Sequence, residues 1–302
     1  MDGDAKILLA VENTVGESII WDHRRNQLFW VDIVGRAIHA CDPDGARHRT
    51  WPAPDFVTSI GLAADGGFVV GLSRDIARWH PDLAFALFAR PEPDKPDNRL
   101  NEGVVGPDGA FWVGTMQNNL NRDGSPRDLT ASTGALYRVT ADGGVTRISE
   151  PSFGITNTLI WSNGRLITAD TLTNCIYSFA CAPGTGVLSD RQILLEDHPR
   201  GLPDGSAQDA DGNIWNCRVV GGASLLHMTP AGTVLSEVDL PVTWPTSCAF
   251  GGPGLDRLFV TSARFTMGPD ALRDRPAEGA LVAVDVGAKG CLAHQFGVSV
   301  PA

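Results

Sequence analysis

The chain has 302 residues, 43% of them hydrophobic and 20% charged, which describes a folded globular protein and excludes a disordered one. Its net charge of −11 argues against a nucleic-acid partner, which needs a basic face. No apolar run reaches the length of a membrane helix.

In chain order the N-terminus comes first. Met1-Asp2-Gly3-Asp4 is acidic, and the apolar stretch from Ile7 to Val11 is too short for a signal-peptide core, so a cytoplasmic location is expected. Short runs rich in Val, Ile, Phe and Trp follow, separated by Gly, Pro and Asp, with no long amphipathic helical pattern. Six of these runs are alike: Phe29-Trp-Val-Asp, Phe68-Val-Val-Gly, Phe111-Trp-Val-Gly, Leu166-Ile-Thr-Ala, Ile214-Trp-Asn-Cys and Leu258-Phe-Val-Thr. They are spaced by 39, 43, 55, 48 and 44 residues.

Each run is preceded by a turn signal: Arg25-Asn26, Asp65-Gly66, Asp108-Gly109, Asn163-Gly164, Asp211-Gly212 and Leu255-Asp256. Asn-Gly and Asp-Gly supply the positive φ of two-residue hairpin turns. A third strand follows each run, for example Arg36-Ala-Ile-His-Ala and Asn174-Cys-Ile-Tyr-Ser, and most units have room for a fourth. Six such units at this period predict an all-β fold: a six-bladed β-propeller with four-stranded blades, forming a single domain over residues 1–302. The run from Lys6 to Val11 precedes the first unit and is expected to pair with the last blade.

Aligning the first strands by their apolar alternation brings Glu17, Thr58, Asn101, Asn157, Asp204 and Thr246 to one equivalent position, and all six are polar. First strands line the channel of a propeller, so these residues should form a ring at one end of it. Two carboxylates and two amide oxygens make an oxygen-rich site suited to Ca²⁺, Mg²⁺, Mn²⁺ or another tolerant divalent ion. The absence of His and Cys from the set disfavours a structural zinc site. The alternative is a water-filled polar channel without metal.

Two connections from second to third strand are long, Thr115 to Thr133 and Ser262 to Glu278, and are expected to form a lid or substrate wall. Arg99, His198 and Arg200 lie just before first strands. Arg99 is expected to share the face of Asn101, whereas His198 and Arg200 are expected to be ordinary solvated charges. The six cysteines, at 41, 175, 181, 217, 248 and 291, form no C-x-x-C pair and read as small buried hydrophobes.

The stretch Asp209-Ala-Asp211-Gly212-Asn213 imitates the start of a calcium loop but fails as an EF-hand. Position 6 counted from Asp209 is Ile214 and position 12 is Val220, where glycine and glutamate are needed. Asp211-Gly212 is therefore read as a turn at the far end of a blade, and Asp209 has no assigned role.

"GESIIWD" (16–22), "RLNEGVVGPDGAFWVGTM" (99–116), "NTLIWS" (157–162) and "LPDGSAQDADGNIW" (202–215) resemble the motifs of the gluconolactonase, senescence-marker-protein or regucalcin-like family over essentially the whole chain. The resemblance implies a propeller that binds one divalent metal and hydrolyses sugar-acid lactones. It implies Glu17, Asn157 and Asp204 as metal ligands, with Arg99, Asn101 and Glu102 on the substrate side. Two departures stand out. Glu102 occupies a place often held by aspartate, and Gln117-Asn118-Asn119 stands where some members carry an acidic residue, which leaves the substrate wall less acidic.

The expected reaction is metal-dependent hydrolysis of an aldonolactone such as glucono-, arabinono- or xylonolactone to the free acid. The ion, whether Ca, Mg, Mn, Zn or Fe, would polarise the carbonyl. Asp204 is the candidate catalytic base, and a hydroxide generated at the ion is the alternative nucleophile. Two rival functions remain at this point, a metal-dependent phosphotriesterase and a non-catalytic calcium-binding propeller. The expected partner is a small-molecule sugar lactone, with no nucleic acid and no membrane.

Overall fold

The computed structural model describes residues 4–182 and 184–298. Among them are 24 strands, arranged in six antiparallel four-stranded sheets, and a single short α-helix, Pro269–Asp274. The fold class is thus all-β, the six four-stranded blades of a β-propeller. The first blade runs Gly16–Asp22, Gln27–Asp32, Ala37–Cys41 and Arg49–Pro52 in consecutive order. The next four repeat this meander from first strands Val57–Leu62, Asn98–Val105, Thr156–Ser162 and Leu202–Gln208. The sixth begins at Pro245–Gly251 and takes its outer strand from the N-terminus: Asp4–Leu9 pairs with Leu281–Asp285 from Asp4↔Asp285 to Leu9↔Leu281.

The chain divides into two compact units, one of Met1–Pro52 with Asp197–Leu292 and the other of Ala53–Glu196 with Ala293–Ala302. The first unit holds blades 1, 5 and 6. Between blades 5 and 6 its core packs Trp215, Cys217, Leu225, Cys248, Leu258 and Val282. Between blades 6 and 1 it packs Trp21, Leu28, Trp30, Phe259 and Leu281. The second unit holds blades 2, 3 and 4, with Phe111, Val113 and Tyr137 central to one cluster and Trp112, Leu166 and Phe179 to another. These are the apolar runs of the repeat, buried where blades of the same unit pack face to face.

The turns between first and second strands all contain a residue at positive φ: Asn26, Gly66, Gly109, Asn163 with Gly164, Gly212 and Leu255. Only Asn163-Gly164 is the two-residue hairpin expected, joining Ser162 directly to Arg165. The others are longer loops, and in those of blades 1, 2, 3 and 5 a carboxylate accepts from a turn N–H. Asp22 accepts from Arg24 N, Asp65 from Gly67 N and Asp108 from Ala110 N.

Asp209 belongs to this series. It accepts from Asp211 N at 3.1 Å, from Asn213 N at 2.8 Å and, through its other oxygen, from the buried indole Nε1 of Trp215 at 3.1 Å. The His227 imidazole stacks on Trp215 with ring centroids 3.9 Å apart and approaches the same carboxylate at 3.5 Å. Asp108 does the same for Trp112 and Arg138 in blade 3. The role missing from the sequence reading is structural: Asp209 ties the turn of blade 5 to its second and third strands.

Candidate active site

In every blade the ladder between the first and second strands slips by one residue at the same place. The slips fall between Glu17 and Ile20, Val57 and Ser59, Leu100 and Gly103, Asn157 and Leu159, Pro203 and Ser206, and Pro245 and Cys248. Each is a β-bulge, one extra residue on the first strand, a device that re-aims side chains. The six equivalent polar residues picked out from sequence sit at or inside these bulges. All are buried despite their polarity.

In the first unit Glu17 and Asp204 are 9% and 6% exposed. Ser18 takes φ 49°, and its N–H donates to the Glu17 carboxylate at 2.9 Å. Asp204 lies in the bulge opposite Cys217, and its carbonyl accepts from Asn216 Nδ2 at 3.0 Å. Burial first, then the neighbouring Cys248 thiol, then the carboxylates of Asp204 and Glu17 push the Cys217 thiol well above its ordinary value. Glu17 and Asp204 each contribute to that shift. Thr246 donates its hydroxyl to Gly16 O, tying blade 6 to the residue before Glu17.

In the second unit the candidate residues form a continuous hydrogen-bonded chain. Arg99 lies within the strand Asn98–Val105, paired with Met116, rather than in the preceding loop. Its Nη1 donates to Asn101 Oδ1 at 2.7 Å and to Leu100 O at 2.8 Å. Asn101 Nδ2 donates to Thr156 O at 2.9 Å and to Asn157 Oδ1 at 3.3 Å. Asn157 Nδ2 donates to Thr171 Oγ1 at 2.7 Å, which fixes the amide flip and leaves Oδ1 as the acceptor end. Glu102, beside Asn101, accepts from Gly103 N at 3.1 Å, and burial pushes its carboxyl up to about 7.

Of Gln117-Asn118-Asn119, only Asn119 is seen to reach this chain. Its Oδ1 accepts from Arg99 Nε at 3.1 Å and from Nη2 at 3.0 Å. Gln117 instead holds the long connection by accepting from Thr130 N and Ala131 N. Asn119 was noted from sequence only within Gln117-Asn118-Asn119, with no partner assigned; Thr171 was not singled out, and neither lies on a first strand where the repeat could mark it. His198 and Arg200 do not join either set. Both pair with Glu237, and Arg200 also pairs with Asp239, on the outer strand of blade 5.

Among the described residues no three His, Cys, Asp or Glu side chains converge, so an ion held by Glu17 or Asp204 would also need amide or main-chain oxygens. The six cysteines are free thiols. No helix among the described residues is long and apolar enough to cross a membrane.

The model of the SMP-30/Gluconolactonase/LRE-like region matches residues 15–264. The 6-deoxy-6-sulfogluconolactonase of Pseudomonas putida is 32% identical, covering 98% of this chain and 99% of its own length. The L-arabinolactonase of Azospirillum brasilense is also 32% identical, covering 97% and 96%. Among solved structures, the calcium-binding protein regucalcin of Agrobacterium tumefaciens superposes with a TM-score of 0.88 at 24% identity over 98% of each chain, a likeness of fold alone. The chain belongs to the SMP-30/gluconolactonase/LRE-like family.

Proposed function

We propose that this lactonase hydrolyses a sugar-acid lactone, an aldonolactone such as glucono-, arabinono- or xylonolactone, to the free aldonic acid with the help of one divalent cation. The observation that carries the reading is the burial of two carboxylates, Glu17 and Asp204, at equivalent first-strand bulges. Burying a carboxylate is costly, and a bound cation offsets that cost. Oxygen donors of this kind fit a hard divalent ion, with Glu17 and Asp204 among its holders. When bound, the ion supplies Lewis acidity toward the lactone carbonyl.

The chain's own groups do the rest. Arg99 is the residue assigned to the sugar hydroxyls, and its bonds to Asn101 and Asn119 keep the planar fork in one orientation. Asn101 is held through both ends of its amide and cannot swing away. Glu102, with its carboxyl near neutrality, can donate to as well as accept from a sugar oxygen. Asp204 accepts the proton of the attacking water at a carboxylate oxygen. The acyl C–O bond of the ring then breaks, and the departing ring oxygen takes up a proton to become the hydroxyl of the product.

The test is removal of metal with a chelator, followed by assay on four or five aldonolactones with and without added divalent ions. Activity should vanish and return with metal, and Asp204→Asn should lower kcat by at least a hundredfold. Full activity in the stripped protein, or in Asp204→Asn, would refute the mechanism. Turnover of phosphotriesters but not of lactones would replace the substrate class.

A further inference from the structure

The bulge that carries Asp204 interrupts the ladder between Pro203↔Arg218 and Ser206↔Asn216. Asn216 Nδ2 donates to Asp204 O at 3.0 Å and to Ser206 Oγ at 2.9 Å. Asn216 is fully buried, and its Oδ1 accepts from Arg218 Nη1 at 3.3 Å, which orients the amide.

Arg218 is itself fully buried. It reaches past the strand to the segment entering it, donating from Nε to Arg200 O at 3.0 Å and from Nη2 to Gly201 O at 2.8 Å. A guanidinium in a protein interior is expensive to hold and is not needed merely to fill space. Here its donors bracket the bulge from the upstream side, while Asn216 holds it from below. The segment has little freedom to relax: a Cβ on Gly201 would come within 2.6 Å of Gly222 Cα, and one on Gly222 within 2.2 Å of Arg218 O.

Blade 4 repeats the arrangement with different chemistry. Thr168 pairs with Leu159, the first residue after the bulge, as Asn216 pairs with Ser206. The Thr168 hydroxyl donates to Asn157 O at 3.0 Å. In two blades, then, a polar second-strand side chain at the same register grips the carbonyl of a candidate metal ligand.

We propose that Asn216, oriented by Arg218, is a positioning residue that fixes the main chain of Asp204 and so aims its carboxylate at the divalent ion. The inference rests on the metal-dependent lactonase reading above. It is tested with Asn216→Thr, which restores a hydroxyl at the place Thr168 uses, against Asn216→Val, which has the same shape without the hydroxyl. Chelator-stripped wild type and variants are titrated with Mn²⁺ and with Ca²⁺ by calorimetry, and kcat and KM are measured on the best lactone.

Asn216→Thr should bind metal within threefold of wild type. Asn216→Val should bind at least tenfold more weakly and lose kcat tenfold at saturating metal, with KM for the lactone within twofold. Equal metal affinity in the Thr and Val variants would overturn the positioning role while leaving the lactonase reading intact. A wild type that takes up neither ion would overturn the metal reading, and this assignment with it. If Asn216→Val aggregates, Asn216→Ser against Asn216→Ala makes the same comparison.

Discussion

Replacing Asp209 by alanine separates structure from chemistry within a single short stretch of chain. The carboxylate is 4% exposed and accepts from two turn N–H groups and one indole N–H. Asp211 and Asn213 lie on a surface loop, so water can replace those two bonds at small cost. The indole of Trp215 is 1% exposed, and its N–H would lose its acceptor in the interior. One buried donor left unmade costs about 1–3 kcal/mol, and a lost bond to a charged acceptor is at the high end, so the total is about 3 kcal/mol. An unfolding entropy of roughly 2.1 cal/mol/K per residue gives about 0.6 kcal/mol per kelvin for this length, so Tm should fall by about 5 °C. Circular dichroism melting measures the shift, and lactone assays at 25 °C should show kcat/KM within twofold of wild type. A Tm unchanged to within a degree, or a large loss of activity at unchanged Tm, would show that Asp209 is not the structural tie described.

Two further outcomes are expected. Burial holds the Glu102 carboxyl up to about 7, so the folded chain keeps a proton that the unfolded chain releases near 4.5. Stability should therefore fall as pH rises from about 4.5 to about 7 and then level off. In metal-free protein Glu102→Gln should be more stable than wild type by on the order of 2–3 kcal/mol at pH 8 and by nothing at pH 4; urea unfolding with the same difference at both values would contradict this. Deleting residues 1–11 removes the outer strand of blade 6 and its pairing with Leu281–Asp285. At about 1 kcal/mol for each of five ladder positions, Tm should fall by roughly 8 °C, and an unchanged melting temperature would contradict the pairing.

The blades were legible because their signals are local. Apolar runs at a period near 45 residues, each led by a residue able to take positive φ, are read without knowing what lies across the sheet. The pairing of Asp4–Leu9 with the last blade followed from the same count. The six polar positions were legible too, although the alternation read poorly at Asn101-Glu102-Gly103 and Asp204-Gly205-Ser206. The bulges explain this: two residues oppose one there, and the period of two fails at the point of interest.

What stayed hidden depends on partners brought together by tertiary structure. The acceptor role of Asp209 needs the Trp215 indole to turn back over the hairpin. Asn119 reaches Arg99 only because the connection after Gln117 folds back, with Asn118 N bonded to Asp97 O and Leu120 bridging Pro126. Arg99 read as a loop residue because the strand begins earlier than the apolar pattern does. The turns looked interchangeable in sequence, yet only Asn163-Gly164 closes in two residues; in blades 1, 2, 3 and 5 an aspartate stabilises a wider loop.

The six bulges also bear on how such a protein can change. A residue at a bulge stands outside the regular ladder, and in this chain its identity differs from blade to blade while the apolar runs recur. Thr58 and Thr246 occupy the same kind of socket as Glu17 and Asp204 without a charge. Each blade thus offers one position where a new donor can be installed by a single substitution, while the apolar runs that specify the fold are untouched. The scaffold separates the alphabet of its chemistry from the grammar of its folding, and selection can rewrite the first one letter at a time.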